Sequence, residues 1–371
     1  MPFISHCSVS PLHPVGRDAV IEFHLAHAEK GINVFADFSQ VESTFRKSFA
    51  TLLLTSPENI AFTTSTSHAL NCIANEYPFA KGDRILTYRH EFPSNYYPWV
   101  VVKKNFGAEL DELPDVDPIG GLLEDCPRGW SMEDVEKLVT PRTRIIAISH
   151  VQFTSGYTAD LAELGQFCRE KNIDLVVDAA QSLGVLPIYP EKYNISAIAS
   201  SGWKYLLGPH GASVFYTSPE FREKLKFSAG GWSMMKQGFD YLNHTWDPYL
   251  DARRFEFTTP PFSLVHSLGQ IADKVFVANG IEKISQLMFA RQDQLIAGLT
   301  KELYRPLIFP TNHRSGLLAA RTTRPVAEVI AKAANRGLTL TERGGYLRLA
   351  PHFHNTPEEI DLALEVLNSL F

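Results

Sequence analysis

A lysine and a carboxylate in the middle of the chain are the strongest candidates for a catalytic pair. Asp178 ends an apolar run in VVDAAQS at 176–182, and Lys204 lies in the turn SSGWKYLLGPHG at 200–211. Because the carboxyl ends of parallel strands meet along one crevice of an open α/β sheet, we expect both side chains to point into it. A lysine amine there can attack a carbonyl carbon, and a carboxylate can keep a ring nitrogen protonated.

Those two abilities are what pyridoxal 5′-phosphate (PLP) requires of a protein. The lysine forms a Schiff base that the amine of an amino acid displaces, while the carboxylate lets the pyridine ring accept electrons from Cα. Either residue alone is more often an ordinary surface charge, so the inference rests on the pair. Gly202 and Gly208 beside the lysine and Gln181 after the acid strengthen it. We predict PLP as the cofactor, with Lys204 and Asp178 as catalytic residues.

The sequence around these residues alternates short apolar runs with helical patterns from about residue 58. Parallel strands need crossover connections, so this alternation predicts an α/β fold with a large, mostly parallel sheet. Ser131 followed by Asp134 is a capping pattern that predicts a helix over MEDVEKLV. Past FEFTTPPF at 255–262, two helical stretches lead to a smaller α/β unit. We predict three parts, namely an N-terminal arm at 1–15, a large PLP-binding domain at 16–258 and a small C-terminal domain at 259–371.

Further short motifs follow one another in order over nearly the whole chain. Beside the two above they are FTTSTSHALN at 62–71, EFPSNYYPW at 91–99, HVQFTSGYTADLAELG at 150–165, RRFEFTTPP at 253–261 and GGYLRLAPHFHNTPEEID at 344–361. In their order and spacing they resemble the class V aminotransferase family of fold-type-I PLP enzymes, which includes cysteine desulfurases, kynureninase and isopenicillin N epimerase-like proteins. The resemblance implies a sheet of the seven-stranded type in the large domain.

The resemblance also implies most of the contacts to the cofactor. Thr66 and Ser67 at a helix start would bind the phosphate, which suits the partial positive charge there. Phe92 would stack on the cofactor ring. Phe153 would line the pocket where desulfurases carry asparagine, with His150 as a weaker candidate. The remaining expected contacts are Gln181 to the phenolic oxygen, Ser201 and Trp203 to the phosphate, and Thr259, which the neighbouring subunit would supply.

The resemblance implies that two parts of the chain bind the substrate. Arg348 lies between Leu347 and Leu349 in a strand pattern and matches the arginine that binds the α-carboxylate, a task for which a bidentate guanidinium is well suited. Ser8 and Val9, in the N-terminal CSVSPLHP, match a segment that reaches over the substrate. Since Thr259 would come from a second chain, we expect a homodimer with shared active sites.

The reaction type stays open at this point. Desulfurases use a cysteine on the loop before the terminal arginine, but LTLTERGGYLRL at 338–349 contains none, so a persulfide-forming desulfurase is not expected. An aminotransferase is favoured, with a C–S lyase, an epimerase or a kynureninase-like lyase as alternatives. A PLP-fold protein that binds a ligand without turnover is the alternative from another class.

Composition excludes several other classes of protein. The net charge of -6 and the lack of a long basic run argue against a nucleic-acid partner. No run approaches the roughly 20 apolar residues of a membrane span, and the start of the chain does not resemble a signal peptide. The four cysteines lack CxxC spacing and the histidines lack HExxH spacing, so no metal is expected. A cytoplasmic location and an amino-acid substrate fit these observations.

Overall fold

A computed structural model describes residues 2–118 and 126–370 of the chain. In this part, seven strands form one sheet in the order β1-β7-β6-β5-β4-β2-β3. Their bounds are β1 Ile60–Thr63, β2 Arg84–Tyr88, β3 Glu109–Leu113, β4 Thr143–Ser149, β5 Asp174–Asp178, β6 Ala197–Ser201 and β7 Ser213–Thr217. Strands β2 to β6 pair in parallel, whereas β7 pairs antiparallel with both β6 and β1. The predicted large, mostly parallel sheet is confirmed.

The central strands are buried on both faces, which explains their continuous apolar runs. On β5, Leu175 and Val177 pack into one hydrophobic cluster and Val176 packs into the cluster on the opposite face. Strand β4 divides in the same way, with Ile146 on one side and Ile145 on the other. Because successive side chains of a strand alternate between faces, the sheet has a core on each side and its chemistry must lie at the strand ends.

Helices cover these two faces and the smaller sheet. Their bounds are α1 Pro14–Lys30, α2 Val34–Asp37, α3 Val41–Leu53, α4 Thr66–Glu76, α5 Tyr97–Phe106, α6 Met132–Leu138, α7 Leu161–Lys171, α8 Pro219–Lys224, α9 Phe262–Ile271, α10 Ile281–Gly298, α11 Val326–Asn335 and α12 Pro357–Asn368. The predicted cap of α6 is present, since the Ser131 hydroxyl accepts a hydrogen bond from the Asp134 amide at 3.2 Å. Helix α9 continues into a π-helical segment, Ala272–Val277.

A second sheet lies in the C-terminal part, where four strands are ordered β10-β11-β9-β8. The strands are β8 Tyr304–Pro306, β9 Leu318–Thr322, β10 Thr341–Arg343 and β11 Tyr346–Leu349, and all neighbours are antiparallel. Their pattern confirms the predicted smaller α/β unit. Strand β11 carries Arg348, whose side chain is buried.

The first residues of the chain connect the two sheets. Ser5 forms a parallel bridge with Ala350, directly after β11. Further along the arm, the Ser10 amide donates to the Trp203 carbonyl and the His13 amide donates to the Leu207 carbonyl, both at 2.9 Å. The arm therefore joins the loop that carries Lys204 to the strand that carries Arg348. Among the described residues, none of the helices is long and apolar enough to cross a membrane.

Candidate active site

The end of β5 and the turn after β6 bring the two predicted catalytic residues together. Asp178 is the last residue of β5, and Lys204 lies in the turn between β6 and β7. The turn is closed by hydrogen bonds from the Gly202 amide to the Ala212 carbonyl and from the Gly208 amide to the Gly202 carbonyl. A Cβ atom at Gly202 would approach the Ala212 carbonyl oxygen to 2.7 Å, so only glycine fits here.

Lys204 and Asp178 affect each other electrostatically. Burial raises the pKa of Asp178, and the Lys204 ammonium opposes this shift. Burial lowers the pKa of Lys204, and the Asp178 carboxylate opposes that shift in turn. Within residues 2–118 and 126–370, the Lys204 ammonium makes no hydrogen bond or ion pair, while the Asp178 carboxylate accepts one hydrogen bond, from the Ala180 amide at 2.9 Å. The lowered pKa favours the neutral amine that a Schiff base requires.

Two aromatic rings lie next to the lysine. The Lys204 Nζ atom is 5.2 Å from the centroid of the Phe92 ring, and the Phe153 ring meets Phe92 edge to face with centroids 5.2 Å apart. The Phe92 side chain remains 38% exposed although it lies in a loop between buried elements. Its free surface next to Lys204 is suited to stacking on a flat ring.

The residues predicted to bind phosphate lie on three elements. Thr66 is the first residue of α4, and its hydroxyl is buried without a partner in the described structure. Ser67 instead donates to the Ser94 hydroxyl at 2.7 Å. Ser201 ends β6, and the Trp203 indole stacks on His210 with ring centroids 4.9 Å apart. The unpartnered hydroxyl at a helix start fits a phosphate oxygen.

Thr259 lies apart from that group on an exposed segment. Its hydroxyl accepts a hydrogen bond from the Trp232 indole at 3.3 Å. Phe257, two residues earlier, contacts His68 of α4 with ring centroids 5.7 Å apart. The segment therefore runs beside α4, and its role in the site of a neighbouring chain remains a prediction.

The N-terminal arm meets the site through Gln181. The Gln181 Nε2 atom donates to the Cys7 carbonyl at 2.9 Å, and its Oε1 atom is buried without a partner among the described residues. That oxygen is a hydrogen-bond acceptor, so its partner would have to be an O–H or N–H donor. Ser8 donates to the Ser5 carbonyl at 2.7 Å, whereas the Val9 side chain is half exposed.

Arg348 is held in place by two neighbours. Its Nη1 atom donates to the Phe153 carbonyl at 3.1 Å, and its Nη2 atom donates to the Thr341 hydroxyl at 2.9 Å. The side chain is only 2% exposed, and in the described structure its Nε atom has no hydrogen-bond partner. Its charge contributes to the lowered pKa of Lys204. A guanidinium that retains a free donor near Lys204 can bind an anionic group such as a carboxylate.

His150 lies at the end of β4 but lines another cavity, of about 310 Å³, together with Tyr193 and Phe289. Its backbone amide donates to the Asp178 carbonyl at 2.9 Å. Burial lowers the pKa of the imidazole to about 3, so it is neutral at ordinary pH. The observed contact with Asp178 is therefore through the backbone and not through a titrating ring.

Two residues near the site were not selected from the sequence. Glu91, directly before Phe92, is 7% exposed, and the Asp178 charge contributes to its raised pKa. Cys7 is buried on the arm, and its thiol is one of the groups that affect the pKa of Lys204. The acid in front of an aromatic residue was a visible signal for Glu91. No local pattern pointed to Cys7, because only the path of the arm brings it there.

Taken together, these residues fit PLP. An amine with a lowered pKa, a buried carboxylate and an exposed aromatic face surround one position. The unpartnered atoms Thr66 Oγ1 and Gln181 Oε1 provide polar groups that a bound phosphate or a phenolic oxygen can satisfy.

Comparison with known proteins agrees with this interpretation. The family model described as aminotransferase class-V matches residues 19–336. An uncharacterized aminotransferase, YcbU, from Bacillus subtilis is 27% identical and covers 98% of this chain and 92% of its own length. A probable cysteine desulfurase from Pyrococcus abyssi is also 27% identical, over 95% of this chain and 90% of its own. A cysteine desulfurase from Dickeya dadantii is 28% identical, over 83% of this chain and 73% of its own.

Solved structures share the fold. The cystine C–S lyase C-DES, in complex with its reaction product cysteine persulfide, superposes with a TM-score of 0.88 at 19% identity and covers 99% of this chain and 97% of its own. The apo structure of a cysteine desulfurase from Thermococcus onnurineus NA1 gives a TM-score of 0.85 at 22% identity, covering 99% and 94%. At these identities the likeness shows the fold alone.

The expected function needs correction. We expected an aminotransferase, or a lyase or epimerase, and excluded a persulfide-forming desulfurase, but several relatives are named cysteine desulfurases. The exclusion relied on the missing cysteine in the loop before Arg348. A cysteine distant in sequence can lie near the site, and the arm brings Cys7 next to Gln181.

The relatives and the family model settle the class and the cofactor. The family model matches residues 19–336, which is most of the chain. The protein is a PLP-dependent enzyme, and its chain belongs to the class V aminotransferase family.

Proposed function

We propose that this enzyme removes sulfur from cysteine, as the names of several relatives suggest. The observation that carries the proposal is that the N-terminal arm brings a cysteine, Cys7, next to a predicted cofactor contact, since Gln181 donates to the Cys7 carbonyl at 2.9 Å. In this reaction the C–S bond of the substrate breaks and an acceptor thiol takes the sulfur. Cysteine and a thiol R–SH give alanine and R–S–SH, so atoms and electrons balance without an added oxidant.

Each residue of the site would have a separate role in this reaction. Bound PLP supplies a ring that accepts electron density from the substrate Cα. Arg348 binds the α-carboxylate, which orients the remaining bonds of the substrate. Lys204, whose lowered pKa makes the neutral amine accessible, holds the cofactor and moves a proton at Cα. Asp178 holds a proton on the ring nitrogen, and Phe92 with Phe153 restricts water on one side.

Cys7 is the acceptor thiol in this proposal. It is 1% exposed, and Gln181 fixes its backbone carbonyl. An enclosed thiol can receive sulfur without competition from water. Release of that sulfur would then require an external thiol, which reduces the persulfide.

The test is to incubate the purified holoenzyme with L-cysteine and dithiothreitol and to measure sulfide and alanine in equal amounts. Cys7→Ser should lower sulfide release at least tenfold while cofactor binding persists, and Cys168→Ser on α7 serves as a buried control. Equal rates in both variants would mean that Cys7 is not the acceptor. Pyruvate and ammonia in place of alanine, or no turnover of cysteine, would refute desulfuration.

We also propose that the enzyme is a homodimer that acts in the cytoplasm. Segment 232–246 exposes Trp232, Phe239, Tyr241 and Trp246, and the first of these hydrogen-bonds Thr259. Adjacent exposed aromatic side chains are typical of protein interfaces. A second copy covering this segment would place Thr259 in the position that the family resemblance implies.

The cytoplasmic location is supported by the four cysteines, which are free thiols.

A further inference from the structure

Glu91 joins the three chain segments that are predicted to hold the cofactor ring. It directly precedes Phe92 in the loop after β2. Its Oε1 atom accepts hydrogen bonds from the Ser149 amide at 2.8 Å and from Gln152 Nε2 at 3.0 Å, and its Oε2 atom bonds the Ser149 hydroxyl. Gln152 is next to Phe153, and Ser149 is the partner of Asp178 in the parallel register of β4 and β5. One carboxyl group thus ties together the loops of Phe92, Phe153 and Asp178.

The electrostatic environment of Glu91 is also unusual for a residue with a purely structural role. It is 7% exposed, and no cation lies within ion-pair distance of it in the part of the chain that the structure describes. Burial raises the pKa of Glu91 to about 7, the three hydrogen bonds oppose this rise, and the Asp178 carboxylate adds to it. The other titratable group that interacts with it is Tyr88 on β2, whose phenol is also buried.

We propose that Glu91 is a positioning residue that sets the charge around Asp178 and thereby the proton affinity of the bound cofactor. When Glu91 is neutral, Asp178 alone carries the negative charge next to the cofactor. When Glu91 ionises, a second negative charge enters the same enclosed region, and every positively charged group there holds its proton more tightly. Glu91 acts through Asp178 and does not touch the substrate. This inference rests on the predicted contact of Asp178 with the ring nitrogen.

The experiment uses the holoenzyme without substrate. The visible absorbance of the bound cofactor is recorded from pH 5.5 to 9.5 for the wild type, Glu91→Gln and Glu256→Gln. Glutamine keeps the size of the side chain and most of its hydrogen bonds but cannot ionise. We expect the midpoint of the absorbance change to fall by about half to one pH unit in Glu91→Gln, because a negative charge in a partly enclosed region is lost.

Glu256 is a matched control because burial also raises its pKa, to about 8, while its partners are Arg46 and the Phe62 amide and not Asp178. Its substitution should leave the midpoint unchanged. A Glu91→Gln enzyme with the wild-type midpoint would overturn the proposal, even if its affinity for PLP were lower, since a purely structural role predicts that result. Because no substrate is present, failure of the proposed desulfuration would not affect this outcome.

Discussion

Among single residues, Lys204 and Asp178 could be placed at one edge of the sheet from the sequence because each follows a strand pattern, and their catalytic roles stay predictions. Arg348 was selected because its motif resembles the terminal strand of the family, and it lies on β11 as that resemblance implies. Glu91 and Cys7 were missed. The buried environment of Glu91 depends on Ser149 and Gln152, 58 and 61 residues away, and no local pattern encodes such a contact.

The role of Asp178 can be tested by Asp178→Asn. We expect the fold to persist and turnover to fall by about 100-fold or more, because a neutral amide cannot stabilise a protonated ring nitrogen as a carboxylate does. Asp174→Asn is the control, because this acid starts the same strand but pairs with Lys224. Steady-state rates at saturating PLP would decide, and an Asp178→Asn enzyme as fast as the Asp174→Asn enzyme would exclude the assigned role.

Arg348→Lys tests the carboxylate contact. Lysine keeps the charge but loses the planar pair of donors, so KM for the amino acid should rise about 10- to 100-fold, with a smaller change in kcat. Arg305→Lys on β8, an exposed position, should change neither constant. An unaltered KM in Arg348→Lys would show that another group binds the carboxylate.

Among the helices and strands, those with regular sequence patterns could be predicted, whereas irregular segments could not. The strands of the large sheet, the cap of α6 and the final helix α12 all followed local signals. Pro14 at the first position of helix α1 is a start signal, but the apolar residues of this helix form no clear stripe. The path of the arm depends on backbone hydrogen bonds to Ala350 and Trp203, which sequence patterns do not reveal.

We predict that the folded protein loses stability in acid, because the buried His6 of the arm packs against the buried His352. Burial lowers the pKa of His6 from 6.5 to about 3 and that of His352 well below its usual value, and their rings lie 5.1 Å apart. Both are neutral in the folded protein and bind protons when unfolded, so stability is lost as the pH falls below about 6.5. For His6 the loss should reach about 2 kcal/mol at pH 5, and His352 should add to it.

Thermal unfolding at pH 7.5 and pH 5 measures this effect. His352→Gln should reduce the difference between the two pH values, whereas His244→Gln, at an exposed position, should leave it as in the wild type. If the wild type and His352→Gln lost the same stability on acidification, the buried histidines would not be its source.

At the scale of the whole molecule, the α/β class, the large sheet and the smaller C-terminal unit could be predicted because strands and helices alternate along the chain. The bounds of the arm and of the two domains at 1–15, 16–258 and 259–371 remain proposals. The reaction could not be predicted, since it depends on which groups surround the substrate after folding. Cys7 illustrates this, because the arm brings it next to Gln181, which is 174 residues away in the sequence.

The proposed homodimer makes a prediction at this scale. Sedimentation at assay concentration should give twice the chain mass of 41.6 kDa. Replacing Phe239 and Tyr241 together by serine should weaken the dimer and lower PLP affinity, because Thr259 would no longer reach its site. The same double change at Leu25 and Ile32, which are also exposed, is the control. A fully active monomer would contradict the shared site.

The attachment of PLP to Lys204 can be tested by chemical labelling. The holoenzyme is reduced with borohydride, digested and analysed by mass spectrometry for a pyridoxyl-phosphate adduct. We predict that the adduct lies on the peptide containing Lys204 and that Lys204→Ala yields no adduct, while Lys224→Ala, beyond β7, yields the wild-type amount. An adduct on a different lysine, or one that persists in Lys204→Ala, would contradict the account.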